Sequence, residues 1–226
     1  MIRLVCVLIG YVFGLFQTSY LYGRLNGIDI RDHGSGNAGT TNALRTLGKK
    51  AGAITFLGDC FKCVFAVLLV RILFCGEFSG TSFWSLLFGS FGTGQRMLLG
   101  MYATLGVILG HNFPFYLHFK GGKGIAATAG LFVILDPVLM VIALVSFVGS
   151  VAITRYVSLG SIIVVVEMMI GVVIYGVQGK WHLEAAGLYE VYAITAFLMI
   201  MAIYRHRANI KRLMSGTERK IGERAE

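Results

Sequence analysis

Ile125-Ala-Ala-Thr-Ala-Gly-Leu-Phe-Val-Ile-Leu135 decides how often this chain passes through a membrane. It is uncharged, yet only about half the roughly 20 apolar residues that an ordinary crossing helix needs. Read as a tilted or half-length helix that packs inside protein, it brings the number of passes to seven; left out, it leaves six. Basic residues arbitrate, because Lys and Arg of short loops gather on the cytoplasmic side. With seven passes and an outside N-terminus, the cytoplasmic segments hold Arg24, Arg31, Arg45, Lys49, Lys50, Lys120, Lys123, Arg155, Arg205, Arg207, Lys211, Arg212, Arg219, Lys220 and Arg224. The outer side holds Arg3, Arg71, Arg96 and Lys180, and Lys62 lies within a span. Six passes would set the basic tail opposite one of the other basic loops. The expectation is an all-α integral membrane protein with seven transmembrane helices, one of them short, and a cytoplasmic C-terminus.

Composition agrees. Of 226 residues 56% are hydrophobic and 14% charged, with a mean hydropathy of +0.75. Soluble domains carry about 25% charged residues, so this chain has too few charges to coat a globule. The spans outside Ile125–Leu135 are expected over Ile2 to Tyr22, Ala51 to Phe74, Met97 to Ile108, a helix opened by Pro137 and running to Thr154, Leu159 to Val177, and Gly187 to Tyr204. The first is too long for a signal peptide and reads as a retained span. Gly76–Gln95 reads as a connector in or near the interface. The whole chain, 1–226, reads as a single membrane-embedded domain without internal repeats. The net charge of +9 gathers in short loops, which points to membrane topology and anionic substrates and away from nucleic acid. Cys60 and Cys63 form a C-x-x-C inside an apolar run with no second pair, and read as buried apolar cysteines.

Three polar stretches carry the chemistry. The first is Gly34-Ser35-Gly36-Asn37-Ala38-Gly39-Thr40-Thr41-Asn42, closed by Arg45. Glycines let backbone N–H groups point into a common hollow, and hydroxyls, amides and a guanidinium add donors. An acid-free, donor-rich loop suits a phosphate; the plain alternative is a flexible polar connector. The second stretch runs from Gly110-His111-Asn112 to Lys120-Gly121-Gly122-Lys123-Gly124. Two lysines flank a glycine pair at a helix start, which suits an anion, although the spacing is not that of a P-loop. Its plain alternative is a basic loop that sets topology and touches lipid headgroups. The third is Arg205-His206-Arg207-Ala208-Asn209, with Arg212, Gly216 and Glu218 beyond it. His206 and Asn209 share a helix face. Ser158 is a weaker candidate. Asp59 and Lys62 are costly in a span and are expected to face the bundle interior, paired with each other; Glu167 is isolated in its span.

No His/Cys cluster has metal spacing, and no paired acids stand ready to hold Mg²⁺. Neither a His-x-x-x-x-Asp signature nor a Gly-x-Ser-x-Gly elbow is present. No metal and no cofactor are expected. A transporter of a small phosphorylated solute would share the spans and basic loops, but would place its polar groups near the midplane and often show paired halves.

Taken together, the three stretches resemble the PlsY family of bacterial membrane acyl-phosphate:glycerol-3-phosphate acyltransferases. The likeness rests on Ser35-Gly36-Asn37-x-Gly39-x-Thr41-Asn42-x-x-Arg45, on Gly110-His111 with Phe119 to Gly124 and Ala127-Thr128, and on His206-Arg207-x-Asn209-Ile210-x-Arg212-Leu213 with Gly216 and Glu218. Cys63 departs from a glycine frequent there. The resemblance implies acyl transfer from acyl phosphate to the 1-hydroxyl of glycerol 3-phosphate, giving lysophosphatidic acid and phosphate, on the cytoplasmic face of a bacterial inner membrane. It implies catalytic roles for Ser35, Asn37, Arg45, Lys123, His206 and Asn209. Substrate contacts fall to Gly36, Gly39, Thr40, Thr41, Asn42, His111, Lys120, Gly121, Gly122, Gly124, Ser158 and Glu218. The acyl-phosphate head is expected on the Ser35–Asn42 loop with Arg45, and glycerol 3-phosphate near Lys120–Lys123, Ser158, His206 and Asn209. His206, His111 and a substrate phosphate all stand open as acceptor of the hydroxyl proton. Membrane lipid and a transient contact with the enzyme that makes acyl phosphate complete the expected partners.

Overall fold

The computed structural model describes residues 1–76 and 94–223. The connector expected over Gly76–Gln95 falls almost entirely on residues 77–93, outside the described residues. Among the described residues the chain is helical and has no strand. Six helical stretches among these residues are long and apolar enough to cross a membrane: Ile2–Leu25, Lys49–Cys75, Gly94–Leu117, Pro137–Thr154, Val157–Val177 and Ala185–Arg205.

The first stretch is two helices, α1 (Ile2–Gly14) and α2 (Thr18–Leu25), where the sequence suggested one continuous span. The break has a polar cause. Gln17 is fully buried, and its Nε2 donates to the carbonyls of Gly14, Gly110 and His111 at 3.0 to 3.4 Å. Side-chain donors of this kind re-satisfy backbone acceptors that a helix break leaves orphaned in lipid. The polar loop that follows is also less irregular than its composition suggested. It contains α3 (Thr40–Leu47), which Gly48 joins to α4 (Lys49–Cys75).

Helix α5 (Gly94–Asn112) lies against α1 at backbone contact. A Cβ on Gly106 would stand 2.1 Å from the Val7 carbonyl oxygen, and one on Gly110 would stand 2.3 Å from that of Tyr11. Small residues at such spacing let membrane helices meet along their backbones, where no hydrophobic effect drives them together.

The short segment forms α6 (Ile125–Leu135), as expected from its length. It packs against α4, and Ala127, Leu131 and Ile134 are almost wholly buried, so it is a core helix. Its end is fixed by Asp136, whose Oδ1 accepts from Val138 N at 2.8 Å and Leu139 N at 3.2 Å, capping α7 (Pro137–Thr154). The other oxygen of Asp136 pairs with Lys180 at 2.8 Å. Helix α7 buries only Leu139 and Ala143 and presents much of its apolar surface outward. It leads into α8 (Val157–Val177), α9 (Ala185–Arg205) and a short helix in the tail, α10 (Arg207–Met214). Helix α8 packs between α7 and α9, and α9 returns to α5.

Two poles result. At one, Glu190 accepts from Arg3 and from Tyr102 Oη at 2.5 to 2.7 Å, and Lys180 meets Asp136. At the other lie all three polar stretches.

Candidate active site

Each stretch is built by backbone contacts before any side chain is free to act. In the first loop, Asn42 is buried and its amide is fully engaged. Oδ1 accepts from Ser35 N at 2.8 Å, and Nδ2 donates to the carbonyls of Ile30 and His33 at 2.9 and 3.0 Å. Asn42 therefore shapes the loop from beneath, while Ser35 and Gly36 stay exposed. Gly36 has φ +70, a conformation that L side chains rarely adopt.

The second loop leaves α5, makes a short 3-10 turn at Phe115–Leu117 and dives back into the bundle. Phe119 and Lys120 are exposed, whereas Gly121, Gly122 and Gly124 are buried. The return is stitched by Gly121 N donating to Asn112 O and Gly122 N to His111 O, at 3.2 and 3.1 Å. Arg205, at the end of α9, holds the same turn by donating to the carbonyls of Gly121 and Gly122 at 3.0 and 2.7 Å.

Gly122 is where the first two loops meet. A Cβ there would stand 2.0 Å from His111 Nε2 and 2.6 Å from the Ala38 carbonyl oxygen. Only a residue without a side chain lets the Ser35–Asn42 loop close on the lysine loop.

The tail supplies the third wall. Glu218 is buried and acts as a hub. Oε1 accepts from Ser158 Oγ at 2.9 Å and Asn209 Nδ2 at 2.7 Å; Oε2 accepts from Arg212 Nε at 2.7 Å. Burial pushes this carboxyl up, but those three hydrogen bonds outweigh it and hold it below its ordinary value. Asn209 Oδ1 in turn accepts from Lys123 Nζ. Arg45 donates to the Arg219 carbonyl at 2.9 Å, which ties α3 to the tail. Arg155 and Ile221 exchange two further bonds, at 2.8 and 3.0 Å.

Lys123 sits at the centre of this positive field. Burial, and then the nearby guanidinium groups of Arg212, Arg205 and Arg45, lower its pKa to about 8, against the pull of Glu218. His206 is pushed down to about 4, first by burial and next by Lys123. It is therefore a neutral imidazole near pH 7. Its Nδ1–H donates to Ala202 O at 2.8 Å, which leaves Nε2 as a hydrogen-bond acceptor.

Lys123, His206, Asn209, Ser158, Glu218, Arg45 and the glycines at 121, 122 and 124 thus come together, and the Ser35–Asn42 loop abuts them at Ala38. Lys120 is exposed at the rim. His111 is buried behind Gly122 and bonded to Lys62, so it backs the site from within. Nothing in the sequence marks Arg205 or Gln17 as a site residue. Arg205 reads as one more juxtamembrane cation, and Gln17 as an interruption of a span. Neither signals a carbonyl clamp until the loops are folded.

Beside the site, α1 and α4 leave an apolar groove of about 440 Å³ lined by Val12, Phe13, Phe16, Gly58, Lys62 and Phe65. Val12, Phe16 and Phe65 are about half or more exposed at its mouth.

The fold and the site together define a helical membrane protein that gathers cations and glycine turns at one pole, around a half-buried lysine. Comparison with known proteins gives the family. The family model described as glycerol-3-phosphate acyltransferase matches residues 4–216. A glycerol-3-phosphate acyltransferase of Clostridioides difficile (strain 630) is 43% identical over 99% of this chain and 97% of its own. One of Alkaliphilus metalliredigens (strain QYMF) is 43% identical over 99% of this chain and 98% of its own. The crystal structure of PlsY (YgiH), an integral membrane glycerol 3-phosphate acyltransferase, superposes in its glycerol 3-phosphate form with a TM-score of 0.78. That match has 29% identity and covers 97% of this chain and 96% of the other. Its lysophosphatidic acid form gives 0.74. The chain belongs to the glycerol-3-phosphate acyltransferase family and is an integral membrane protein of the PlsY type.

Proposed function

We propose that this protein transfers a fatty acyl group from acyl phosphate to the 1-hydroxyl of glycerol 3-phosphate, on the cytoplasmic side of a bacterial inner membrane, through a seven-pass fold. The observation that carries the reading is the convergence on Lys123. One half-buried ammonium, three guanidinium groups in its field and two glycine turns make a site for two phosphate groups that repel each other. Glu218, its nearest carboxylate, is engaged in holding that site together.

An acyl phosphate is already a mixed anhydride with a good leaving group. The protein's task is then to align two anions and to stabilise the tetrahedral oxyanion, with no covalent intermediate required. Lys123 and Asn209 hold the glycerol phosphate. Arg45 and the Ser35–Gly39 backbone hold the acyl phosphate head, and the groove between α1 and α4 takes the tail. His206, neutral and with Nε2 free to accept, orients the attacking hydroxyl. A group titrating near 4 is a weak base, whereas a phosphate monoester has its second pKa at about 6. The hydroxyl proton therefore passes to a substrate phosphate as the C–O bond to the acyl carbon forms and inorganic phosphate departs.

The test is the donor. Purified enzyme with glycerol 3-phosphate and palmitoyl phosphate is expected to give lysophosphatidic acid and equimolar phosphate, and to give none with palmitoyl-CoA or palmitoyl carrier protein. Turnover with a thioester donor alone would overturn the assignment.

A further inference from the structure

Behind the site lies a charge cluster that the reaction itself does not use. Asp59 and Lys62 stand one turn apart on α4, inside the bundle, both under 5% exposed. Their carboxylate and ammonium meet at 2.8 Å, and Thr18 Oγ1 donates to the same Asp59 oxygen at 3.1 Å. The other two N–H bonds of Lys62 are also committed. One goes to the carbonyl of Phe16, in the break between α1 and α2, at 2.8 Å; the other goes to His111 Nδ1 at 2.7 Å. A buried ion pair is expensive in a membrane helix, and an apolar pair of similar size would build the same core at less cost.

What the apolar pair would not do is fix a proton. An ammonium has donors only, so the imidazole nitrogen that faces it must offer its lone pair. That leaves the ring proton on Nε2, which faces Gly122 where the Ala38 carbonyl also approaches. The backbone of His111 is held as firmly, its carbonyl accepting from Gln17 Nε2 and from Gly122 N.

We propose that Lys62, held by Asp59, is a positioning residue for acyl transfer: it locks His111 as the Nε2–H tautomer, whose ring packs against Gly122 at the seam between the Ser35–Asn42 loop and the Gly121–Lys123 turn. The seam sets the distance between the two phosphate subsites, so the inference rests on the reading of the site given above. Misalignment should act on turnover more than on affinity, because each subsite keeps its own ligands.

Nitrogen-15 histidine spectra of the wild-type enzyme, with the His111 signals assigned through His111→Gln, are expected to show protonated Nε2 and bare Nδ1. In Lys62→Met the preference is expected to weaken or vanish. A protonated Nδ1 in the wild type, or an unchanged tautomer in the variant, would overturn the proposal. In kinetics, Lys62→Met should lower kcat roughly tenfold to a hundredfold, with KM for glycerol 3-phosphate within about twofold. Glutamine supplies an amide N–H near the Nε2 position and needs no tautomer fixed. In the His111→Gln background, Lys62→Met should therefore cost less than about threefold, the mark of a coupled pair. Equal losses in both backgrounds would reduce Lys62 to a structural residue. Should Lys62→Met alone misfold, Asp59→Asn with Lys62→Met removes both charges and carries the same measurements. A wild-type enzyme inactive with acyl phosphate would refute the reading of the reaction and leave the imidazole measurement standing.

Discussion

In the role proposed for it, Lys123 makes glycerol 3-phosphate binding depend on pH in a calculable way. Its ammonium is held to about 8 by burial and by the surrounding guanidinium groups. An anionic ligand binds the charged form, so the apparent dissociation constant should scale as one plus the ratio of neutral to charged lysine. The sign follows directly. Below pH 7 nearly every molecule carries the ammonium and the lysine's own contribution is flat. Above 8 each further unit of pH removes a factor approaching ten, so binding at pH 9 is weaker than at pH 7 by roughly tenfold, or about 1.4 kcal/mol. The ligand does not obscure this, because a phosphate monoester is already dianionic above its second pKa of about 6. Isothermal titration of glycerol 3-phosphate into enzyme held in lipid nanodiscs, from pH 6.5 to 9.5 at constant ionic strength, would read the curve. Lys123→Arg keeps the charge throughout this range and should flatten the alkaline limb, whatever its absolute affinity. A flat wild-type profile between 7.5 and 9.5, or a limb that survives in Lys123→Arg, would show that Lys123 is not the phosphate's ammonium.

Two further perturbations separate construction from chemistry. Gly110→Ala drives a methyl into the Tyr11 carbonyl at the α1–α5 seam, and overpacking of this kind costs about 1–3 kcal/mol; thermal unfolding in detergent should fall by several degrees, whereas Gly149→Ala, with nothing within 4 Å, should not lower it. Asn42→Ala removes three hydrogen bonds beneath the first loop, a loss of about 2–3 kcal/mol of local order; turnover should nearly vanish while glycerol 3-phosphate, assigned to the other loop in the proposed reaction, still binds within a few-fold by the same titration.

Much of this architecture is readable from residue types because the membrane restricts what they can do. An eleven-residue apolar run has few places to go, and α6 is indeed buried against α4. Asp59 and Lys62, three apart in lipid, had each other as the nearest remedy, and they pair. The polar stretches look like a site because nothing in them could form a core. The rest depended on long-range neighbours. Gln17 reads as a blemish in a span until the carbonyls of Gly110 and His111, more than ninety residues away, arrive beside it. Asn42 has the chemistry of a ligand contact, but its amide is taken up by three backbone groups of its own loop. Glu218 stands in a motif as a substrate contact, and nothing there shows that it also brackets Ser158, Asn209 and Arg212. A side chain's type tells which bonds it can make; only the fold tells which partner reaches it first.

The shortness of α6 has a consequence for where chemistry happens. Eleven residues rise about 16 Å, roughly half the thickness of a hydrocarbon layer. A helix that short cannot reach from one surface of the layer to the other, so one of its ends lies within the slab. On the proposed reaction, the apolar groove between α1 and α4 would let a fatty chain keep the depth of the lipid tails while the two phosphates meet at the cationic pole.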